Sequence, residues 1–228
     1  EQAEGLSRKE SAVEAIEAFK KAAELFGEAK QAFEREIGKT KNLDEKEKAI
    51  ELSNASILRK DYCTARVDVE EARAYERSGR YNESAENYDS AATVFERILQ
   101  SMEAESDRKE LKVIVFLCRA WQKMEMAEAR NSSDLFHEAS EMFLQAKNNS
   151  TKEKPTLLAS GNSAFCVALE HGTKFENARE KDDFLKAKQF LDSAANYYLK
   201  AGFDNASLWA NATGFLFDAY NYMIAAET

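Results

Sequence analysis

The sequence is nearly free of the residues that interrupt helices. Its 228 residues include 8 glycines and 1 proline, about 4% of the chain against a usual share nearer 12%. A β-sandwich or barrel needs turn residues every 8 to 12 positions, so a strand-rich fold is nearly excluded. Apolar residues make up 44% of the chain, which is enough to build a core and argues against global disorder.

Apolar residues recur along the chain in steps of three, four and seven, which is the period of an α-helix. We therefore predict an all-α fold of eight helices. The short connections between them favour antiparallel neighbours. The predicted helices cover about 7–37, 43–78, 82–101, 107–131, 134–148, 155–179, 183–201 and 204–226.

Three residues mark predicted helix ends. Gly38 follows the first apolar stretch and is predicted to be its C′ residue. Asn42 is predicted to be the N-cap of the second helix, with Glu45 completing a capping box. No further breaker occurs before Gly79, so the second helix is predicted to be a rod of roughly 50 Å.

A pattern of small and large residues repeats in four of the predicted helices. A small residue is followed four positions later by a bulky one, and three positions beyond that by alanine. Small residues let helix axes approach closely, and the bulky residue fills the groove between them. The pattern therefore predicts ridge-and-groove packing repeated along an array. The four instances are Ala15/Phe19/Ala22, Ser84/Tyr88/Ala91, Ala139/Phe143/Ala146 and Ala187/Leu191/Ala194.

One segment, residues 72–91, resembles a tetratricopeptide repeat, the 34-residue helix-turn-helix unit. The residues that carry the resemblance are Ala72 and Tyr75 in the first helix, Gly79 and Tyr81 at the turn, and Ser84, Tyr88 and Ala91 in the second helix. The copies around Ala139 and Ala187 match the second-helix half. The elongated helix pairs are similar in shape to those of soluble NSF attachment proteins.

The resemblance implies a right-handed α-solenoid of about eight antiparallel helices, with residues 1–228 forming one domain. A long helical hairpin at 7–78 and repeat-like pairs within 43–201 would precede an apolar terminal helix at 204–226. Stacked helix pairs leave a concave and a convex surface. We therefore expect a non-catalytic scaffold that binds a protein or an acidic peptide segment.

Motifs for catalysis or metal binding are incomplete. The sequence Gly38-Lys39-Thr40 lacks the glycine that a phosphate-binding loop needs five positions earlier. Asp134 and His137 have the spacing of one metal-binding pair, but no second pair exists, and we interpret Asp134 as a helix cap. Cys166 and His171 lie on different helix faces. We expect no enzyme activity, no cofactor and no metal site.

Charge and cysteine usage indicate the class of partner and compartment. The net charge is −9, and no basic cluster exceeds two consecutive residues, so nucleic-acid binding is not expected. No run of about 20 apolar residues occurs, so membrane insertion is not expected either. We interpret Cys63, Cys118 and Cys166 as reduced, buried thiols of a cytoplasmic protein. Because the chain begins at Glu1 rather than Met, we interpret it as an internal piece or a trimmed product.

Basic residues on the predicted first helices form the first candidate partner site. Several recur at i, i+7, which aligns them on one helix face, where they could bind an acidic peptide or a carboxylate terminus. The alternative is a solvated face in which neighbouring glutamates pair with them, for example Glu70 with Arg66. The candidates are Arg59, Arg66, Arg73, Lys112, Arg119, Lys123 and Asn162.

The terminal helix, 204–226, is the second candidate site. Its large apolar residues surround the helix, and a helix of that kind is normally covered on all sides. Burial within this chain, a homodimer or a missing continuation, and a separate partner remain alternatives. The candidate contacts are Trp209, Phe217 and Tyr220. A small-molecule cavity around Cys118, Trp121 and Cys166 is a further hypothesis.

Overall fold

The computed structural model describes residues 12–227, and these residues form eight α-helices and no strand. The chain divides into two compact units, the first ending at Glu103 and the second beginning at Ala104. The first unit contains α1 (Ala12–Lys39), α2 (Leu43–Arg77) and α3 (Tyr81–Ser101). The second contains α4 (Glu105–Arg130), α5 (Ser133–Asn149), α6 (Glu153–Ala178), α7 (Lys181–Lys200) and α8 (Asp204–Glu227). The prediction of an all-α fold is confirmed, and the single domain stays a prediction.

The helix boundaries lie within two residues of the predicted ones, except that the predicted start of the first helix lies outside the described residues. The Asn42 N-cap is confirmed, because its Oδ1 accepts a hydrogen bond from the amide of Asp44 at 3.0 Å. The capping box is wrong, since Glu45 accepts instead from the Thr40 hydroxyl at 2.8 Å. The Gly38 stop is also wrong: α1 continues to Lys39, and the Thr40 amide still donates to the Glu36 carbonyl.

Gly79 ends α2 as the sequence predicts. Its φ of 71° lies in the left-handed region, which glycine enters without steric cost. The amide of Arg80 reaches back to the Tyr75 carbonyl at 3.0 Å, and the Gly79 amide reaches Glu76 at 2.9 Å. These two bonds satisfy carbonyls that the end of α2 would otherwise leave open.

Within each unit, helices that follow one another in the chain pack together. The residues of the predicted small-and-large pattern lie mainly in the core between these helices. All four leading small residues and all four bulky residues are buried, as are three of the four final alanines, while Ala22 is half-buried. The predicted burial of these residues is therefore confirmed except at Ala22, and the ridge-and-groove packing stays a prediction.

Two glycines of α6 allow neighbouring helices to approach it closely. A β-carbon at Gly161 would lie 2.7 Å from the ring of Tyr198 in α7, and one at Gly172 would overlap the ring of Phe217 in α8. The Tyr198 hydroxyl donates a hydrogen bond to Asn162 Oδ1 at 2.7 Å. These contacts hold α7 and α8 against α6, so they fix which side of α8 faces inward.

Candidate interaction surfaces

Arg59 and Arg66 lie on the side of α2 that packs on α1. The Arg59 guanidinium is 5.8 Å from the centre of the Phe26 ring, and that of Arg66 is 4.9 Å from the Phe19 ring. Both rings belong to α1, and a guanidinium at this distance is attracted to the face of an aromatic ring. The helix α1 therefore occupies part of the face that the sequence offered to a partner.

Glu70 brings two of these arginines together. Its side chain is 1% exposed, and its Oε1 lies 3.2 Å from Arg66 Nη2 and 3.0 Å from Arg73 Nη1. The expected pairing of Glu70 with Arg66 is confirmed, but the expected solvated face is wrong at this pair, because both side chains are largely buried. Both arginines thus carry a charge-assisted hydrogen bond within α2, which leaves less of their charge for an incoming acidic group.

The candidates of the second unit, three basic residues and Asn162, also contact residues of this chain. Lys112 is exposed, with its Nζ 5.7 Å from the centre of the Phe116 ring. Arg119 donates a hydrogen bond to Gln122 at 3.4 Å. Lys123 pairs with Glu138 at 2.6 Å, and Asn162 accepts from Tyr198 as described above. The role of the basic residues in partner binding stays a prediction.

The inner side of α8 is bound to the second unit. Phe217 is buried, and the ring of Tyr220 meets the ring of Phe175 edge-on, with the centres 6.0 Å apart. Lys188 of α7 donates to the Gly214 carbonyl at 3.1 Å and pairs with Asp218 at 2.6 Å. Two of the three predicted contacts, Phe217 and Tyr220, therefore hold α8 in place within the unit.

The opposite side of α8 is apolar and exposed, and we name it the α8 outward face. Its six large side chains are between 53% and 75% exposed, and the alanines between them are also exposed. All of its members fall within about 140° of the helix circumference. Burial within this chain therefore accounts for the inner side only. The members are Leu208, Trp209, Ala212, Phe215, Leu216, Ala219, Tyr222, Met223 and Ala226.

Comparison with protein-family models, with curated proteins and with solved structures finds no match for this chain. The resemblance to a tetratricopeptide repeat is thus carried by the residues of 72–91 themselves. Function has to be inferred from the surfaces and side-chain contacts of the two units.

The histidines and cysteines, which are the side chains best suited to catalysis or metal binding, lie in contacts between helices or in the core. His137 Nδ1 lies 3.1 Å from Glu170 and joins α5 to α6, while His171 Nδ1 lies 2.7 Å from Asp183 and joins α6 to α7. All three cysteines are buried. Burial raises the pKa of the Cys166 thiol, which keeps it protonated and unreactive.

The N-cap of α5 differs from the predicted one. The Ser132 side chain accepts a hydrogen bond from the Leu135 amide at 3.4 Å, and Asp134 lies inside the first turn of the helix. The interpretation of Asp134 as the cap is therefore wrong. A serine followed by a second serine and an aspartate offers three residues with good capping side chains, so the sequence alone left this boundary ambiguous.

An open cavity of about 540 Å³ lies between α4 and the connection from α5 to α6. Val113, Ile114 and Leu117 line its apolar part, and Lys109 and Lys152 lie among its polar residues. It is not at the position that the sequence suggested. Cys118 and Cys166 are buried, and Trp121 packs edge-on against Phe143, with ring centres 6.1 Å apart.

Sequence reasoning found the apolar character of α8 but not which side of it is exposed. The missed residues are Ala212, Ala219 and Ala226, which follow one another at seven-residue spacing. Ala212 and Ala219 lie between pairs of bulky residues on the exposed side, and Ala226 follows the last such pair. Alanine at a seven-residue interval is a pattern that the sequence does contain, and it is typical of closely packed helices.

None of the helices in residues 12–227 combines the length and the apolar character that crossing a bilayer requires. At its N-terminal end the α8 outward face is bordered by the exposed polar residues Asp204 and Asn205.

Proposed function

We propose that this chain is a non-catalytic protein-interaction module, and that the α8 outward face is the surface through which it binds. The observation that supports this most is the exposure of six large apolar side chains on one side of one helix. Covering such a side chain stabilises a protein by about 1.5–3 kcal/mol relative to leaving it in water. A protein partner with an apolar surface would gain that free energy.

The exposed apolar area supports the same proposal. Three of the six large side chains are aromatic, and aromatic side chains bury about 150–250 Å² each. At the observed exposure, the α8 outward face amounts to roughly 700 Å² of apolar surface. The largest apolar patch on a typical monomeric protein is about 300–600 Å² and is often functional. The α8 outward face is larger, which is typical of an interface.

The proposed framework for this surface is an array of helix pairs related in design to tetratricopeptide repeats. Buried small and bulky residues recur in four helices, and Gly79 adopts the conformation that the repeat-like turn requires. Each helix of such an array covers the one before it. In this proposal a partner covers the exposed side of α8.

The α2 arginines support partner binding less strongly. Arg66 and Arg73 are paired with Glu70, and Arg59 and Arg66 contact rings of α1. An acidic peptide would have to compete with these contacts. We therefore place the main binding surface on α8.

Affinity capture with a matched pair of variants tests the proposal. The intact chain, its Leu216→Glu variant and its Leu185→Glu variant are immobilised, and bound proteins are quantified by mass spectrometry. Leu216 is in the α8 outward face, whereas Leu185 is an exposed leucine of α7 in the same unit. We expect Leu216→Glu to lose binding that the unmodified chain and Leu185→Glu retain. Equal binding by all three proteins would contradict the proposed surface.

A further inference from the structure

We infer that the α8 outward face binds a second copy of this chain, so that two copies pair through their α8 helices. This inference rests on the proposed function, because it names the partner of the same surface. It is supported by the area of the face, by its charge, and by the arrangement of small and large residues along it.

The area of the face fits a dimer interface. A stable protein interface buries about 800 Å² on each partner, and the α8 outward face offers roughly 700 Å² of apolar surface. Two copies meeting face to face would bury close to the standard total of about 1,200–2,000 Å². The face therefore needs no surface from the rest of the chain to make a stable interface.

The charge of the face is compatible with its own copy. The chain has a net charge of −9, so most of its surface repels a second copy. No member of the α8 outward face is charged, and no basic residue occurs in α8. Asp218, on the other side of the helix, is paired with Lys188. Self-association through this face avoids the repulsion that other surfaces would produce.

The shape of the face is complementary to itself. Ala212, Ala219 and Ala226 leave shallow gaps at seven-residue spacing, and bulky pairs such as Phe215 and Leu216 stand between the gaps. Helices with this spacing pack closely when the bulky residues of one fit the gaps of the other. A suitable partner helix must present gaps and ridges at the same interval, and α8 of a second copy does so.

The oligomeric state of the full chain tests the inference. Light scattering and sedimentation are measured from about 1 to about 200 µM, a range that brackets a micromolar dissociation constant. We expect the mass to rise from 25.7 kDa to twice that value. Leu216→Glu should remain a monomer throughout, and Leu185→Glu should dimerise like the unmodified chain. A helical circular dichroism spectrum confirms that both variants fold, together with a melting temperature equal to that of the unmodified chain at the lowest concentration, where the unmodified chain is also monomeric.

A second variant separates specific packing from nonspecific stickiness. Ala219→Phe adds apolar surface but fills the central gap of the face. If the bulky residues of one copy enter the gaps of the other, this change should weaken dimerisation by at least about tenfold through overpacking. Dimerisation as strong as that of the unmodified chain, or stronger, would overturn the proposed packing.

The outcomes distinguish this inference from the proposed function. An unmodified chain that stays monomeric at all concentrations overturns the inference, as does a Leu216→Glu variant that dimerises normally. The chain could instead be monomeric and still capture another protein in a manner that depends on Leu216. In that case the α8 outward face binds a different protein, so the inference fails and the proposed function stands. If the chain is monomeric and Leu216→Glu has no effect on capture, both fail.

Discussion

The ring of Phe217 in α8 lies directly against Gly172 in α6, at a position where even a β-carbon would overlap the ring. This contact fixes the rotation of α8 about its own axis. With Phe217 facing α6, the residues on the opposite side of the helix face solvent. A glycine in one helix thus decides which apolar residues of another are exposed to solvent.

We predict that Gly172→Ala destabilises the chain. The added methyl group forces the Phe217 ring out of its place, and overpacking of this kind costs roughly 1–3 kcal/mol. The gain in helix propensity, up to about 1 kcal/mol, offsets only part of that cost. Chemical denaturation measures the change in the free energy of unfolding.

Gly27→Ala is the matched control for that measurement. Gly27 also lies inside a helix, but a β-carbon there would come no nearer than 3.9 Å to another side chain, that of Lys60. We expect Gly27→Ala to stabilise the chain by about 0.5–1 kcal/mol. Equal effects of the two substitutions would show that the contact between Gly172 and Phe217 is not tight.

We predict that Glu70→Gln is strongly destabilising. The substitution removes the charge that Arg66 and Arg73 contact, and breaking a buried ion pair costs about 3–5 kcal/mol. Glu24→Gln is the control, because Lys21 and Glu24 form a pair with the same type of spacing but are each 64% exposed. Its effect should be within about 1 kcal/mol. Similar losses for the two variants in urea denaturation would contradict the structural role of Glu70.

We predict that the ionised carboxylates of Asp68 and Glu170 have opposite effects on the free energy of unfolding. Burial raises the pKa of Asp68 above its ordinary value of 3.8, against a hydrogen bond from Ser90. Burial also acts to raise the pKa of Glu170, but hydrogen bonds from Lys174 and His137 outweigh it and leave the pKa below its ordinary value of 4.5. At neutral pH the Asp68 carboxylate therefore opposes folding, and the Glu170 carboxylate favours it.

Chemical denaturation of Asp68→Asn and Glu170→Gln between pH 7 and pH 3 shows whether each carboxylate raises or lowers the free energy of unfolding. At pH 7, Asp68→Asn should be more stable than the unmodified chain and Glu170→Gln less stable. The difference in the free energy of unfolding between Glu170→Gln and the unmodified chain should disappear as the pH falls through the lowered pKa of Glu170. The Asp68→Asn difference should disappear as the pH falls through the raised pKa of Asp68 towards 3.8. A Glu170→Gln variant as stable as the unmodified chain at pH 7 would contradict the account of its hydrogen bonds.

We predict that Cys63 and Cys166 react with a thiol reagent at different rates. Cys166 is fully buried and burial raises its pKa, whereas Cys63 is 7% exposed. The thiolate is the reactive form and the reagent needs access, so Cys63 should react at least about tenfold faster than Cys166. Peptide mass spectrometry resolves the rates, and unfolding in guanidinium should make them similar. Faster reaction at Cys166 would be inconsistent with the core of the second unit.

Helix positions could be predicted from the sequence because each helix has an apolar period and the chain has few breakers. The burial of the small-and-large triplets could be predicted for the same reason, with Ala22, which is half-buried, as the exception. Cap details could not: Gly38 is inside α1, because helical hydrogen bonding continues through Lys39 to Thr40. Glycine is compatible with both a helix interior and a helix end, and tertiary context decides which of the two it occupies.

The candidate sites were harder to predict, because exposure depends on which neighbour each helix has. Arg66 and Trp209 both looked available in the sequence. Arg66 is engaged by Glu70 and by the Phe19 ring, while Trp209 is 68% exposed. Phe217 looked equivalent to Trp209 but is buried against Gly172. A helix that is apolar on all sides gives no period from which its exposed side can be read.

The most direct test of the central claim is the environment of Trp209. The chain has two tryptophans, so Trp121→Phe leaves Trp209 as the only one, and its fluorescence reports whether the α8 outward face is covered. In dilute solution we expect emission typical of exposed tryptophan and efficient quenching by acrylamide. When the chain associates, with its own copy or with a captured partner, emission should shift to shorter wavelength and quenching should fall. A Trp209 that stays equally quenchable in the associated state would contradict the assignment of this face as the interface.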